Sequence, residues 1–236
     1  MVNDILFQLV LFFSNMIQSI TGFAGTLLAM PFSIRLVGVV EAKTVLNIFT
    51  LMACLVISIQ NRRYVNYKVL AKMAAGMLIG MVIGIWLFEQ VPLQILLTFY
   101  AVLIILIAIK KMFWKKEITL PGWVMVMVLV AAGIIHGMFL SGGALLVIYA
   151  VYALKDKAEF RATISAVWVL LNSLLIVMSY QAANYNTATI KAILISMIPL
   201  ALSVKIGNIL YKKINQQQFL KVTYVLLLIS GASLLF

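Results

Sequence analysis

Two stretches of the chain set polar and conformationally free residues inside apolar sequence. One reads Gln18-Ser19-Ile20-Thr21-Gly22-Phe23-Ala24-Gly25-Thr26, the other His136-Gly137-Met138-Phe139-Leu140-Ser141-Gly142-Gly143-Ala144. Irregular backbone survives at membrane depth only where it is buried in protein or lines a cavity. A helix that starts there leaves free N–H groups and a partial positive charge, which suits a small oxyanion. Gln18, Thr21 and Thr26 add side-chain donors around Gly22 and Gly25. His136 and Ser141 add them around Gly142 and Gly143. The other reading is structural: such glycines let helices pack closely.

A second set of polar residues lies elsewhere in apolar sequence. Asn47, Thr163, Ser165 and Asn172 fall in long apolar helices. There they either face a pathway or bond across helices, a contact worth about 0.6 kcal/mol. Lys43 and Arg161 stand where helices begin. Headgroup-level solvation competes there with gating or attraction of an anion. Lys205 sits inside an apolar run and either faces the pathway or snorkels to the basic loop beyond it. His136 is the single histidine, so a His-rich metal site is absent. It could relay protons or simply pack. Cys54 has no partner for an internal disulfide and reads as a small packing residue. Trp86, Trp123 and Trp168 read as packing or interfacial residues.

The elements that hold these residues are membrane helices. Of 236 residues, 65% are hydrophobic and 10% charged, and the mean hydropathy is +1.14. A soluble domain is about 25% charged. The apolar runs are too continuous for barrel strands. They predict helices over 4–20, 26–38 (with Pro31 in its early turns), 43–60, 68–88 and 92–113. A second series covers 121–136, 144–154, 160–182, 188–211 and 216–236. The first two elements of each series are short, and the sequence leaves open whether they are half-spans or short full spans. The N-terminus shows no basic region or cleavage site, so no cleaved signal peptide is expected.

The chain divides into two halves, 1–117 and 118–236, in one integral membrane domain. A shift of 118 residues aligns Gly25 with Gly143, Leu27-Leu28 with Leu145-Leu146, Leu36 with Leu154 and Glu41 with Glu159. It also sets Lys43 on Arg161. The spacing Gly76-x3-Gly80-x3-Gly84 returns as Pro199-x3-Ser203-x3-Gly207. The net charge of +12 sits mostly in short loops, which reports orientation and not nucleic-acid binding. In the first half Arg62, Arg63 and Lys68 follow the third element, and Lys110, Lys111, Lys115 and Lys116 end the fifth. In the second half the alternate loops are basic instead, with Lys155, Lys157, Arg161, Lys212, Lys213 and Lys221. Basic loops that switch parity predict halves of opposite orientation, with both termini outside.

Enzymatic signatures are missing: no P-loop, HExxH, CxxC or G-x-S-x-G occurs, and six acidic residues supply no intramembrane pair. No cofactor is called for. The residues do resemble a known family. Gln18 to Gly25 followed by Pro31, and Gly133-x3-Gly137-x3-Ser141-Gly142-Gly143 followed by Phe160-Arg161-Ala162-Thr163, look like the TauE/SafE sulfite-exporter family over essentially the whole chain. The family's triple-glycine turn is eroded here. The resemblance implies a multi-pass transporter of the bacterial inner membrane that moves sulfite or an organosulfur anion.

The expectation is therefore an all-α polytopic protein of two inverted-topology repeats with glycine-broken helices. It would bind a small anion and exchange access between the two sides of the bilayer. The coupling ion is not readable from the residues, though the titratable His136 is compatible with a proton, and a homodimer is compatible with the chain. The alternatives are a passive anion channel and a membrane accessory subunit that transports nothing.

Overall fold

The computed structural model describes residues 2–92, 121–178 and 187–215, with 94–96, 98, 99, 102, 106, 180, 185, 217, 218, 221 and 225. The regular elements in the continuous stretches are all helical. They are α1 (Val2–Thr21), α2 (Ala24–Val37), α3 (Val39–Gln60), α4 (Tyr67–Gln90), α5 (Gly122–Phe139), α6 (Gly143–Ala153), α7 (Lys157–Met178) and α8 (Thr187–Lys213). A 3-10 turn covers Arg62–Tyr64. Most of the run 92–113 and nearly all of 216–236 lie outside the described residues.

Six of these helices are long and apolar enough to cross a membrane. α2 and α6 are not, with 14 and 11 residues. At 1.5 Å per residue they cover about 21 and 17 Å, against a hydrocarbon core of roughly 30 Å. Each begins at one of the two sequence breaks. The outward faces are apolar, including Ile79, Trp86, Trp123 and Ile198, all at least 60% exposed, as lipid requires.

Local chemistry sets the helix ends. Gly38 holds φ at 84°, ends α2 through its N–H to Ile34 O, and starts α3 by accepting from Ala42 N. α3 therefore begins four residues earlier than the sequence suggested. The Asn66 side chain caps α4, its Oδ1 accepting from Val69 N at 3.1 Å. Asp156 caps α7, accepting from Ala158 N and Glu159 N, so that helix also begins early. As a result Lys43 and Arg161 stand a turn inside their helices.

Helix packing exchanges partners along the chain. α4 packs most extensively on α5, α1 on α8, and α3 on α7. The α4–α5 seam is backbone on backbone. A Cβ on Gly80 would lie 1.9 Å from Val130 O, one on Gly84 2.1 Å from Ile134 O, and one on Gly133 2.0 Å from Met77 O. Gly137 meets Met81 O at 2.4 Å in the same way, and α5 continues through it to Phe139. At the α1–α8 seam, a Cβ on Gly207 would lie 2.5 Å from Ser19 Cβ.

Three basic loops gather at one end of the bundle. Asn66 Nδ2 donates to Glu159 Oε1 at 2.7 Å, and Asn66 N donates to Thr163 Oγ1 at 3.0 Å. Lys157 Nζ donates to Ile214 O at 2.5 Å. The loops that carry Arg62 and Arg63, Lys155 and Lys157, and Lys212 and Lys213 thus share a side.

Candidate functional site between the two breaks

The first break is closed by its own residues. Gly22, with φ at 84°, turns the chain where α1 ends. Thr21 Oγ1 accepts from Phe23 N and Ala24 N, and Gln18 Oε1 accepts from Gly25 N at 2.8 Å. Gln18 Nε2 in turn donates to Gly22 O at 3.0 Å and to Cys54 Sγ at 3.1 Å. Gly25 is glycine because a Cβ there would lie 2.6 Å from Gln18 Cβ. Gln18 and Thr21 thus spend these donors and acceptors on the turn itself, and the first amides of α2 already have acceptors.

The second break is held differently. Leu140 takes the left-handed position that Gly22 takes in the first, with φ at 54°. A left-handed conformation costs a β-carbon residue about 1–2 kcal/mol. No side chain caps α6 at its N-cap, Gly142. Ser141 Oγ donates to Phe139 O at 2.9 Å. Thr26 Oγ1 reaches across from α2 and donates to Leu140 O at 2.7 Å. A Cβ on Gly143 would lie 3.0 Å from Phe23 O, so the two breaks also touch.

Beside the breaks lies a group of buried polar side chains without hydrogen bonds. His136 is 1% exposed; Asn172 and the Leu140 backbone lie against its ring, but neither ring nitrogen makes a hydrogen bond of good geometry. Its ring lies against Trp168 at a centroid distance of 4.8 Å, and Trp168 Nε1 is also unpartnered. Asn172 lies beside His136, yet neither its Nδ2 nor its Oδ1 is bonded in good geometry. Ser165 Oγ, beside Cys54, and Asn47 Oδ1, on the wall of the smaller cavity described below, likewise lack a hydrogen bond of good geometry. Leaving such a group unmade costs about 1–3 kcal/mol each. These atoms come from α3, α5 and α7, and both donors and acceptors are present.

Positions that the 118-residue shift equates share geometry. Gln18 touches Cys54, and His136 lies beside Asn172. Gly22 and Leu140 both have positive φ. Lys43 Nζ sits 4.0 Å from the Phe88 ring centre, and the Arg161 guanidinium sits 4.2 Å from that of Tyr211. Sequence reading missed Phe88 and Tyr211. Their signal was present, since each follows by four residues the glycine, Gly84 or Gly207, that matches in the small-residue spacing.

Two cavities lie at opposite ends of α3 and α7. The first, about 300 Å³, is lined by Lys43, Asn47, Phe88, Glu89, Leu140 and Tyr180 among others. It lies at the start of α3 and the end of α7. The second, about 830 Å³, is lined by Gln60, Arg161, Lys205, Asn208, Tyr211 and Lys212 among others. It lies at the end of α3 and the start of α7, on the side of the basic loops. Lys43 to Gln60 spans roughly 25 Å of α3 at 1.5 Å per residue. The breaks and the unpartnered polar group lie between α3, α5 and α7. Of the sequence-derived candidates, His136 and Asn172 lie together with Trp168, and Ser165 lies beside Cys54. Lys43, Asn47, Arg161 and Lys205 reach a cavity wall. Gln18, Thr21, Gly22, Gly25, Thr26, Ser141, Gly142 and Gly143 build the breaks.

No solved structure matches the chain. The probable inner membrane transporter protein TsaS of Comamonas testosteroni is 27% identical over 177 residues, 74% of each chain. The family model described as Sulfite exporter TauE/SafE matches residues 7–234. With its crossing helices, its two broken turns and its match over nearly the full length, the chain belongs to the TauE/SafE sulfite exporter family of membrane transporters.

Proposed function

We propose that the protein is a secondary transporter that moves sulfite or a small organosulfur anion across the bacterial inner membrane by alternating access. The observation that carries this reading is the group of buried atoms without good hydrogen bonds on His136, Trp168 and Asn172, set between cavities at opposite ends of the bundle. A solute with several oxygens would accept from Asn172 Nδ2, Trp168 Nε1 and a ring N–H of His136. It would supply bonds that these groups lack. The N-terminus of α6, without a side-chain cap, adds a favourable dipole for a negative charge.

The two halves, 1–117 and 118–236, are read as inverted repeats that rock about the α3–α7 crossing. The exchanged pairing of α1 with α8 and α4 with α5 supports this, as does the shared geometry of equated residues. So does the gathering of the alternate basic loops on one side. The relative's name places that protein in the inner membrane, and the same location is proposed here.

The test is transport by purified protein in liposomes, with a panel of sulfite, alkyl sulfonates and carboxylates. Accumulation of a sulfur oxyanion against its gradient, driven by an imposed proton gradient, is the expected result. Flux that never departs from electrochemical equilibrium would make the protein a passive channel. No movement of any anion would end the reading.

A further inference from the structure

Arg161 is 3% exposed, yet it lines the larger cavity. Among the described residues its partners are the side-chain oxygen Oδ1 of Asn208 and the face of Tyr211, and neither carries a negative charge. Its Nε has no acceptor. Lys205 and Lys212 line the same wall. A cation buried without a counterion is costly, and inside a membrane protein it marks a site of function. The guanidinium keeps its charge at any working pH and has donors to spare.

Lys43, the residue equated with Arg161, is set differently. It too lies over an aromatic ring, and its Nζ donates to Gly137 O at 3.4 Å. Its cavity, however, also holds Glu89, whose charge acts on Lys43. Among the described residues, the lining of one cavity carries cations and no carboxylate, and that of the other holds a cation beside a carboxylate.

We propose that Arg161, with Lys205 and Lys212, forms an anion subsite in the basic-side cavity, distinct from the central group, which captures the solute's negative charge before it reaches the breaks. The ligand class is a small oxyanion such as sulfite or a sulfonate. The subsite gives the protein a sided affinity, tighter from the face that bears Arg62 and Arg63. This inference extends the transport reading but is separable from it.

Two measurements test it. In the first, detergent-purified protein is treated with phenylglyoxal, with or without methanesulfonate, and arginine modification is mapped by mass spectrometry. Methanesulfonate should protect Arg161 and leave the exposed Arg62 and Arg63 reactive, while neutral dimethyl sulfone should protect none. Equal modification of Arg161 with and without the anion would overturn the subsite. So would an Arg161 that never reacts while Arg62 and Arg63 do. This arm needs no variant and no transport. Protection without sulfite transport would leave the subsite standing and remove the transport reading. In the second measurement, oriented liposomes report sulfite transport from each face. Arg161→Gln should raise the half-saturating sulfite concentration from the basic-loop face by about tenfold or more, the size of one charge-assisted hydrogen bond. Arg161→Lys should recover part of that loss. An equal change from both faces would overturn the sided subsite.

Discussion

The Thr26 hydroxyl donates a 2.7 Å hydrogen bond to the Leu140 carbonyl oxygen and so ties one broken turn to the other. Thr26→Val keeps the shape and removes the donor. It leaves a buried carbonyl short of a partner, at about 1–3 kcal/mol. Thermal unfolding in detergent should show that loss, and Thr26→Ser should recover most of it.

Gly22 and Gly38 share φ at 84°, but their surroundings differ. A Cβ at Gly22 would meet Arg161 O at 3.2 Å, whereas one at Gly38 meets nothing within 4 Å. Gly38→Ala therefore reads backbone strain alone: with ψ at 163° the residue occupies a region essentially reserved to glycine, at about 1–3 kcal/mol. Gly22→Ala adds a contact with the α7 backbone to its own positive-φ strain and should also destabilise in the same unfolding assay.

The α4–α5 seam admits no β-carbon. Gly80→Ala would place one 1.9 Å from Val130 O, and the obstacle is backbone that cannot swing aside. The penalty should reach or exceed the roughly 1–3 kcal/mol of ordinary overpacking. Gly122→Ala, where nothing lies within 4 Å, should change stability by less than about 0.5 kcal/mol. Expression and melting temperature of the two variants, side by side, check the contrast.

His136→Phe separates binding from packing. The substituted ring can still lie against Trp168, and two buried nitrogens without partners are removed. Removing unmade polar groups should hold or raise the melting temperature. Transport should nevertheless fall, because the solute loses a bonding partner. A variant that transports at the wild-type rate would take His136 out of the binding group.

The described spans, the breaks and the family were readable from the residues because each rests on local signals: long apolar runs, glycines, and a quoted motif. The placement of Lys43 and Arg161 was readable only in part. Lys43 and Arg161 looked like headgroup-level residues, because their helices seemed to start at 43 and 160. The caps at Gly38 and Asp156 moved those starts outward and carried both cations inward. The roles of Gln18 and Thr21 could not be read at all. Whether a buried amide faces a solute or its own turn depends on side-chain rotamers, and Gln18 bonds Gly22, Gly25 and Cys54 at once. Asn172 and Trp168 became prominent only when folding left them without partners.

The first turn is sealed by Thr21 and Gln18 from its own helix, while the second leans on Thr26 reaching across from α2. In the alternating-access cycle proposed above, parts held so differently would spend unequal time in the two orientations. That lopsidedness would set how long the empty carrier waits at each surface, and hence its turnover. It would leave the direction of net flow to the gradients across the bilayer.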